Sequence, residues 1–292
     1  MVPVLAEFIA IQTLNSLVYS MLLFLLALGL SLTFGLLRVV NLAHGGFYLL
    51  GAYVGLSVWT FSHSFLVAVV IAPLAAGLIG ALLEKLWLRY FYARAELDQV
   101  ILTFGFALVF ADVMKMLWGK DIRGVPAPST LAGAVQLGNF AFPSYRLLLI
   151  AVGIGLFVAT WLAIERTRVG ALIRASVADR VMVAGLGFNV RFLFTAIFAF
   201  GTGLAGLAGW LAAPITGVYP GLDFEVLITT LIVVVVGGLG NIAGAFWASL
   251  LIGGSETFGK AMLPEFASFI IFGVMAAVLL FRSWGRDEEE VE

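Results

Sequence analysis

Long, uninterrupted apolar stretches run through almost the whole chain, and they constrain its fold more than any other feature. Hydropathy delimits about eight of them, most with the roughly 20 residues that a helix needs to cross a bilayer. They lie near residues 8–37, 41–61, 64–88, 99–118, 145–165, 192–213, 225–254 and 264–282. Because polar and apolar residues do not alternate within them, they predict helices rather than the strands of a membrane barrel.

The composition agrees with a membrane protein built as one unit. Of the 292 residues, 62% are hydrophobic and 11% are charged, against about a quarter charged in soluble domains. The polar connections are too short to fold alone. The sequence therefore predicts an all-α polytopic membrane protein, embedded in the lipid bilayer, with a single transmembrane domain over residues 1–292.

The basic residues predict an orientation. Arg38, Arg89 and the arginine-rich connection 166–191 favour the cytoplasm, which places the N-terminus outside. An even number of crossings would then leave Arg282 outside as well. We therefore expect the seventh stretch to break at residues 237–241, entering and returning on the outer side, so that the C-terminus is cytoplasmic.

Several classes of function find no support in the residues. The chain has no cysteine, and its two histidines are about one span apart, so no metal site is expected. No basic stripe indicates nucleic-acid binding, and no combination of nucleophile and base indicates a catalytic site. A GxGxxG match at residues 201–206 lies inside an apolar stretch with no preceding strand. We interpret it as a small-residue face for helix packing, and we expect no bound cofactor.

Charged residues near the ends of the stretches are interpreted as structural, with a role along a transport pathway as the alternative. Asp112 and Lys115 are one helical turn apart and are expected to pair. Glu84 is expected to extend towards the polar headgroups. Glu256 is more ambiguous, because it lies near the outer opening if residues 242–256 return outward.

The sequence NLAHGGF at residues 41–47 is the strongest polar feature inside an apolar stretch. An ionisable residue such as His44 at this depth points to function, and the alternative is a neutral histidine that hydrogen-bonds a neighbouring helix. NIAGAF at residues 241–246 is weakly similar to this segment. It suggests an internal repeat of the kind found in transporters, with chance similarity as the alternative.

The connection after the fifth stretch, at about residues 166–191, is the only substantial polar segment between spans. Within it, ALIRASVADRVMVAGLG predicts one short helix that ends at Gly187. Such a helix is typical either of an amphipathic segment on the inner membrane surface or of a docking element for a cytoplasmic partner.

Four blocks of sequence occur in a characteristic order: GLSLTFGLLRVVNLAHGGFYLLGAY at 29–53, RTRVGALIRASVADRVMVAGLGFNV at 166–190, GTGLAGLAGWLAAP at 201–214 and VVVVGGLGNIAGAFWASLLIGG at 233–254. Together they resemble the permeases of branched-chain amino-acid ABC importers over nearly the whole chain. The NLAHG motif and the chain length resemble those of the shorter of the two permease types.

This resemblance implies a permease subunit in a bacterial inner membrane, importing branched-chain or hydrophobic amino acids or related small polar compounds. It implies a second related permease, two cytoplasmic ATPase subunits and an extracytoplasmic substrate-binding protein as partners. The chain has no GxxxxGK[ST] loop, so ATP hydrolysis would reside in the ATPase subunits. Many relatives carry an acid directly after HG, where this chain has Gly46, which weakens the inference of a free amino acid as substrate.

The resemblance also implies contacts with the ATPase. These would come from Arg174, Ala175, Ser176, Asp179, Arg180, Ala184, Gly185 and Gly187. Our hypothesis for the translocation pathway pairs the two asparagine-containing segments, with His44 as a structural hinge. Its residues are Asn41, His44, Gly45, Gly46, Gly237, Gly238, Gly240 and Asn241.

Two alternative functions stay open on the sequence. A secondary transporter would usually carry coupling carboxylates or a cation site inside the membrane, and none is evident. A passive channel for small neutral solutes such as urea or amides is supported by the paired asparagine-containing breaks. The connection 166–191 favours the importer, because a self-sufficient carrier would not need a docking element.

Overall fold

The computed structural model describes residues 2–37, 39–138 and 140–289. Arg38, which contributes to the predicted orientation, lies outside the described residues. The helices found are α1 (Val2–Leu37), α2 (His44–Ser62), α3 (Phe65–Leu86), α4 (Glu96–Trp118), α5 (Ser144–Arg166), α6 (Arg168–Ala178), α7 (Arg180–Gly185), α8 (Val190–Thr216), α9 (Leu222–Gly237), α10 (Ile242–Met262) and α11 (Ala267–Glu289). A small antiparallel hairpin, β1 (Ala134–Leu137) and β2 (Phe140–Pro143), joins α4 to α5.

The predicted all-α membrane fold is confirmed. Each of the eight apolar stretches corresponds to helix, and in the described chain α1, α3, α4, α5 and α8 are each long and apolar enough to cross a bilayer. Most of α1 and α8 is buried inside the bundle, whereas α3, α4 and α5 expose much of their apolar surface. The chain is therefore a multi-pass membrane protein with α1 and α8 at its centre.

Small residues allow α8 to approach its neighbours closely. A Cβ atom at Gly201 would lie 2.8 Å from the carbonyl oxygen of Gly29 on α1, and one at Gly51 on α2 would lie 2.2 Å from Cα of Gly206. Gly209 meets the backbone of Tyr48 in the same way. The interpretation of residues 201–206 as a packing face is confirmed, because these glycines contact helices on two sides.

The seventh stretch is broken where the glycines predicted. Helix α9 ends at Gly237 and α10 begins at Ile242, and Gly238 and Gly240 between them have φ of +89° and +80°. We call the end of the bundle that carries α6 and α7 the α6 end, and the opposite end the far end. Gly240 packs on Gly35 near the end of α1, while Gly253 packs on Ser20. The α9–α10 hairpin thus enters and leaves at the far end.

The last helix returns to the α6 end. The guanidinium of Arg282 lies 3.3 Å from the position of a Cβ atom at Gly238, in the turn of the hairpin. This placement agrees with the expectation that the C-terminus lies on the same side as the connection 166–191.

Two local expectations are wrong. The segment 171–187 forms two helices rather than one, because Asp179 is extended (φ −149°) and its Oδ1 accepts hydrogen bonds from the backbone N–H groups of Val181 and Met182, both at 2.9 Å. Asp179 is thus an N-cap in the middle of the predicted helix. Glu84 does not extend outward either. It is buried in the bundle, with only 1% of its surface exposed.

Candidate functional site

The chain between α1 and α2 forms a non-helical segment, residues 39–43, which we call the buried break. Val39, Asn41 and Ala43 are almost fully buried. Backbone groups in such a place need partners, because burial shields them from bulk solvent. The N–H of Leu42 donates to Oγ1 of Thr103 on α4 at 3.2 Å, and the same hydroxyl lies 3.1 Å from the carbonyl oxygen of Val40. A single threonine therefore serves two backbone groups of the break.

His44 is the first residue of α2 and is completely buried. Its Nε2 lies 3.1 Å from the carbonyl oxygen of Leu26, so Nε2 carries the proton and donates to α1. Among the described residues, Nδ1 has no hydrogen-bond partner. The hydrogen bond to a neighbouring helix is the structural alternative raised from the sequence.

The two glycines after His44 lie where other chains approach closely. A Cβ atom at Gly45 would be 2.2 Å from the carbonyl oxygen of Asp223 at the start of α9, and one at Gly46 would be 2.8 Å from the ring of Phe110. Phe47 packs on that same ring, with 4.9 Å between centroids. An acidic side chain at position 46 would therefore have to displace Phe110.

The second group of proposed pathway residues lies at the α6 end. We call residues 238–241 the exposed break, because Leu239, Gly240 and Asn241 are exposed. Gly237 packs on Gly244 across the turn. Asn241 caps α10 by accepting a hydrogen bond at its Oδ1 from the N–H of Gly244 at 2.9 Å.

The two groups of predicted pathway residues occupy different places in the bundle. The start of α2 contacts Asp223 and Leu227 in the first part of α9, whereas the exposed break follows the end of α9 and contacts Gly35. The structure therefore brings Asn41, His44, Gly45 and Gly46 together, and Gly237, Gly238, Gly240 and Asn241 together, as two separate groups.

The predicted ATPase contacts are mostly accessible. Arg174, Ala175, Asp179, Ala184, Gly185 and Gly187 are exposed, Arg180 is half-buried, and Ser176 is buried and donates its hydroxyl to the carbonyl of Leu172. Large apolar side chains surround α7 and point outward. They are Val181 (82% exposed), Met182 (64%), Leu186 (67%) and Phe188 (51%).

Both short helices are tied to the spans on either side. The guanidinium of Arg174 donates to the carbonyl of Ile164 and lies 3.6 Å from Oε2 of Glu165 on α5. Arg180 lies over the ring of Phe194 on α8, 4.7 Å from its centroid. A force on α6 or α7 would therefore reach α5 and α8.

A buried polar cluster ties α3 to the start of α8. Oε2 of Glu84 accepts hydrogen bonds from Oγ1 of Thr195 at 2.6 Å and from Arg89 at 3.2 Å, and Oε1 accepts one from the hydroxyl of Tyr92 at 3.0 Å. Sequence reasoning missed both Thr195 and Thr103. The only signal in each case is a single hydroxyl residue in an apolar stretch.

The remaining charged and metal-ligating side chains are dispersed over the structure. Within the ranges that the structure describes, no group of three or more His, Cys, Asp or Glu side chains is placed to hold a metal ion. Asp112 and Lys115 form the predicted ion pair at 3.3 Å on the exposed face of α4.

Comparison with known proteins gives a family and relatives. The family described as "branched-chain amino acid transport system / permease component" matches residues 12–279. The high-affinity branched-chain amino acid transport system permease protein BraD of Pseudomonas aeruginosa is 28% identical over 94% of both chains. The corresponding protein LivH of Escherichia coli K12 is 25% identical over 89% of both chains. Among solved structures, PsaBC from Streptococcus pneumoniae in complex with Fab has a TM-score of 0.48 and 16% identity, covering 91% of this chain and 89% of that one.

Proposed function

This chain belongs to the family of permease components of branched-chain amino acid transport systems, and from that premise we propose that it is the membrane-spanning subunit of an ATP-driven importer. It is a transport permease component, and we place ATP hydrolysis in separate subunits. The family match over residues 12–279 carries the proposal. The bacterial inner membrane is the location that we propose for it.

The surface around α7 supports the docking of an ATPase subunit. Val181, Met182 and Leu186 are each more than three-fifths exposed, although they are large and apolar. Exposed apolar side chains on a polar connection favour burial by a partner. A short helix that presents such residues next to small ones, here Ala184 and Gly185, fits a groove on another protein.

The contacts behind α7 supply a route for the force of ATP binding. Arg180 stacks on Phe194, and the next residue of α8, Thr195, is hydrogen-bonded to Glu84. A displacement of α7 would therefore move the start of α8 and the end of α3 together. Helix α8 meets α1, α2 and α3 through glycines, which have few side chains to unpack when the two packings of alternating access exchange.

The substrate and the remaining partners follow from the family. We propose that the complex imports branched-chain or similar hydrophobic amino acids, as the names of the relatives state for those proteins. A second related permease would complete the membrane part, two ATPases would bind the α6 end, and an extracytoplasmic binding protein would deliver substrate at the far end.

Purification of the tagged chain from its native membrane in mild detergent tests this proposal. We expect ATPase subunits to co-purify with the unaltered chain. Met182→Glu and Ala184→Trp should abolish that co-purification, since they place a charge or a bulky ring on the docking surface. Met116→Glu on α4 is a matched control, because Met116 is 84% exposed at the far end. Recovery of the unaltered chain alone, or equal recovery of ATPase with Met182→Glu, would contradict the proposal.

A further inference from the structure

An open cavity of about 400 Å³ lies at the far end between α1, α5, α8 and α10. Its polar side is built around Glu256, whose side chain is only 8% exposed. The hydroxyl of Tyr19 donates to Oε2 of Glu256 at 2.6 Å, and Nζ of Lys260 donates to Oε1 at 2.5 Å. Both carboxylate oxygens of Glu256 therefore have a strong hydrogen-bond partner, and all three of these side chains belong to residues that line the cavity.

A second cation lines the same cavity with only a neutral partner. Nη1 of Arg146 donates to Oδ1 of Asn15 at 2.6 Å. In the described part of the chain, no carboxylate lies within ion-pair distance of Arg146. The cavity thus holds two cations and one anion. A guanidinium in this position favours a carboxylate from outside, because its planar donors match one in two hydrogen bonds.

The opposite side of the cavity is apolar. Val18 and Leu22, on successive turns of α1, line it and are 4% and 9% exposed. A concave space of a few hundred Å³ with an apolar wall and a few convergent polar groups is typical of a small-molecule site. The ligand that fits has a short aliphatic part beside a charged end.

We propose that this cavity binds the zwitterion of an amino acid with an aliphatic side chain, with its carboxylate on Arg146 and its ammonium on Glu256. Lys260, whose side chain is 65% exposed, gives up Glu256 to the incoming ammonium and turns to solvent. Glu256 thereby supplies the carboxylate that Gly46 cannot. The inference rests on the proposed function, since it names the site at which that function's substrate first meets the permease.

The absence of cysteine from the chain permits a direct test. Thr257 lines the cavity, and Thr257→Cys places one thiol there. The assembled importer carrying this change is labelled with a water-soluble thiol reagent in washed membrane vesicles that lack the binding protein. We expect saturating leucine to slow labelling about tenfold, as an occupied site excludes the reagent.

Two leucine analogues and one control thiol sharpen the result. The amine 3-methylbutylamine lacks the carboxylate, and 4-methylpentanoate lacks the ammonium. For the same protection, each analogue should need a concentration at least about tenfold higher than leucine, because each loses one charge-assisted contact. Lys120→Cys, on the exposed loop after α4, should be labelled at the same rate with and without leucine. Equal protection by leucine and either analogue would overturn the proposal.

A charge-removing variant with a matched control completes the test. Glu256→Gln in the Thr257→Cys background should weaken protection by leucine about tenfold or more, whereas Asp112→Asn, from the exposed pair on α4, should not. Both variants must elute as the assembled complex for this comparison to count. Even if Glu256→Gln fails to assemble, the labelling of Thr257→Cys with leucine and its analogues decides the question.

Uptake separates failure of this inference from failure of the proposed function. ATP-dependent leucine uptake by the unaltered importer, combined with no protection of Thr257→Cys, would overturn the site and leave the function standing. Protection without any ATP-dependent uptake would support the site and contradict the importer. Absence of both would overturn both.

Discussion

Two breaks between helices have similar sequences, and they are built in different ways. The buried break, residues 39–43, lies inside the bundle, and its backbone is served by Thr103 on another helix. The exposed break, residues 238–241, lies at the α6 end and is served by its own residues, through glycines with positive φ and the Asn241 cap.

The two asparagines show the difference most clearly. Asn241 is the N-cap of α10, and its side chain accepts a hydrogen bond from the N–H three residues on. Asn41 lies two residues before the N-cap position of α2, and its Oδ1 accepts from Ala43 instead. Similar sequences therefore adopt two different local structures. Because losing a hydrogen-bond partner is costly for a buried group, changes in the buried break should be more damaging.

The largest expected effect is that of Gly45→Ala. The new Cβ atom would lie 2.2 Å from a backbone oxygen at Asp223, which can move only if α9 shifts. We expect a loss of more than about 3 kcal/mol, seen as a lower thermal midpoint of the purified protein or as failure to accumulate. Gly254→Ala is the control, because a Cβ atom there meets nothing within 4 Å. Similar midpoints for the two variants would contradict the close approach at Gly45.

His44→Ala should have the next largest effect. It leaves the Leu26 carbonyl without the Nε2 donor and opens a cavity, which we expect to cost about 2–3 kcal/mol. His44→Gln keeps an N–H donor on a side chain of similar reach and should recover a large part of that loss. Full stability and full transport of His44→Ala would remove the hinge role.

Gly238→Ala tests the exposed break with a smaller expected effect. Its φ of +89° disfavours a side chain, but the nearest atoms that a new Cβ atom would meet in the described chain belong to the flexible guanidinium of Arg282, at 3.3 Å. We expect a cost of about 1–2 kcal/mol, measured by the same thermal midpoint. A cost equal to that of Gly45→Ala would show that the two breaks do not differ as described.

The smallest expected effect is that of Asn241→Ala. Removing an N-cap side chain costs about 1 kcal/mol, and the residue is exposed enough for water to replace part of the lost hydrogen bond. Asn241→Asp keeps an oxygen acceptor and should stay within about half of that value. If Asn241→Asp were as destabilising as Asn241→Ala, the cap would not explain the asparagine.

The parts of the fold that follow from periodicity and length could be predicted from the sequence. Apolar runs located the spans, and the glycines at 237–241 located the break, since glycine tolerates the positive φ of the turn. The glycines at 201–209 indicated a packing face. Each of these signals is contained in one short segment.

The remaining features depend on residues far apart in the chain. Glu84 looked like an interfacial acid because its partner Thr195 is 111 positions away. Asp179 looked like an ordinary polar residue within a helix, and only the backbone reveals it as a cap. The far-end cavity brings together Tyr19, Arg146 and Glu256 from three helices, so no local sequence pattern could predict it.

Leucine uptake by proteoliposomes that contain this chain with and without its ATPase subunits distinguishes an ATP-driven importer from a carrier that works alone. We predict concentrative uptake only when the ATPases, the second permease, the binding protein and hydrolysable ATP are all present. Met182→Glu should lack uptake, and Met116→Glu should retain it. Uptake by this chain alone, at the same rate without ATP, would contradict the importer and establish a channel or a secondary carrier.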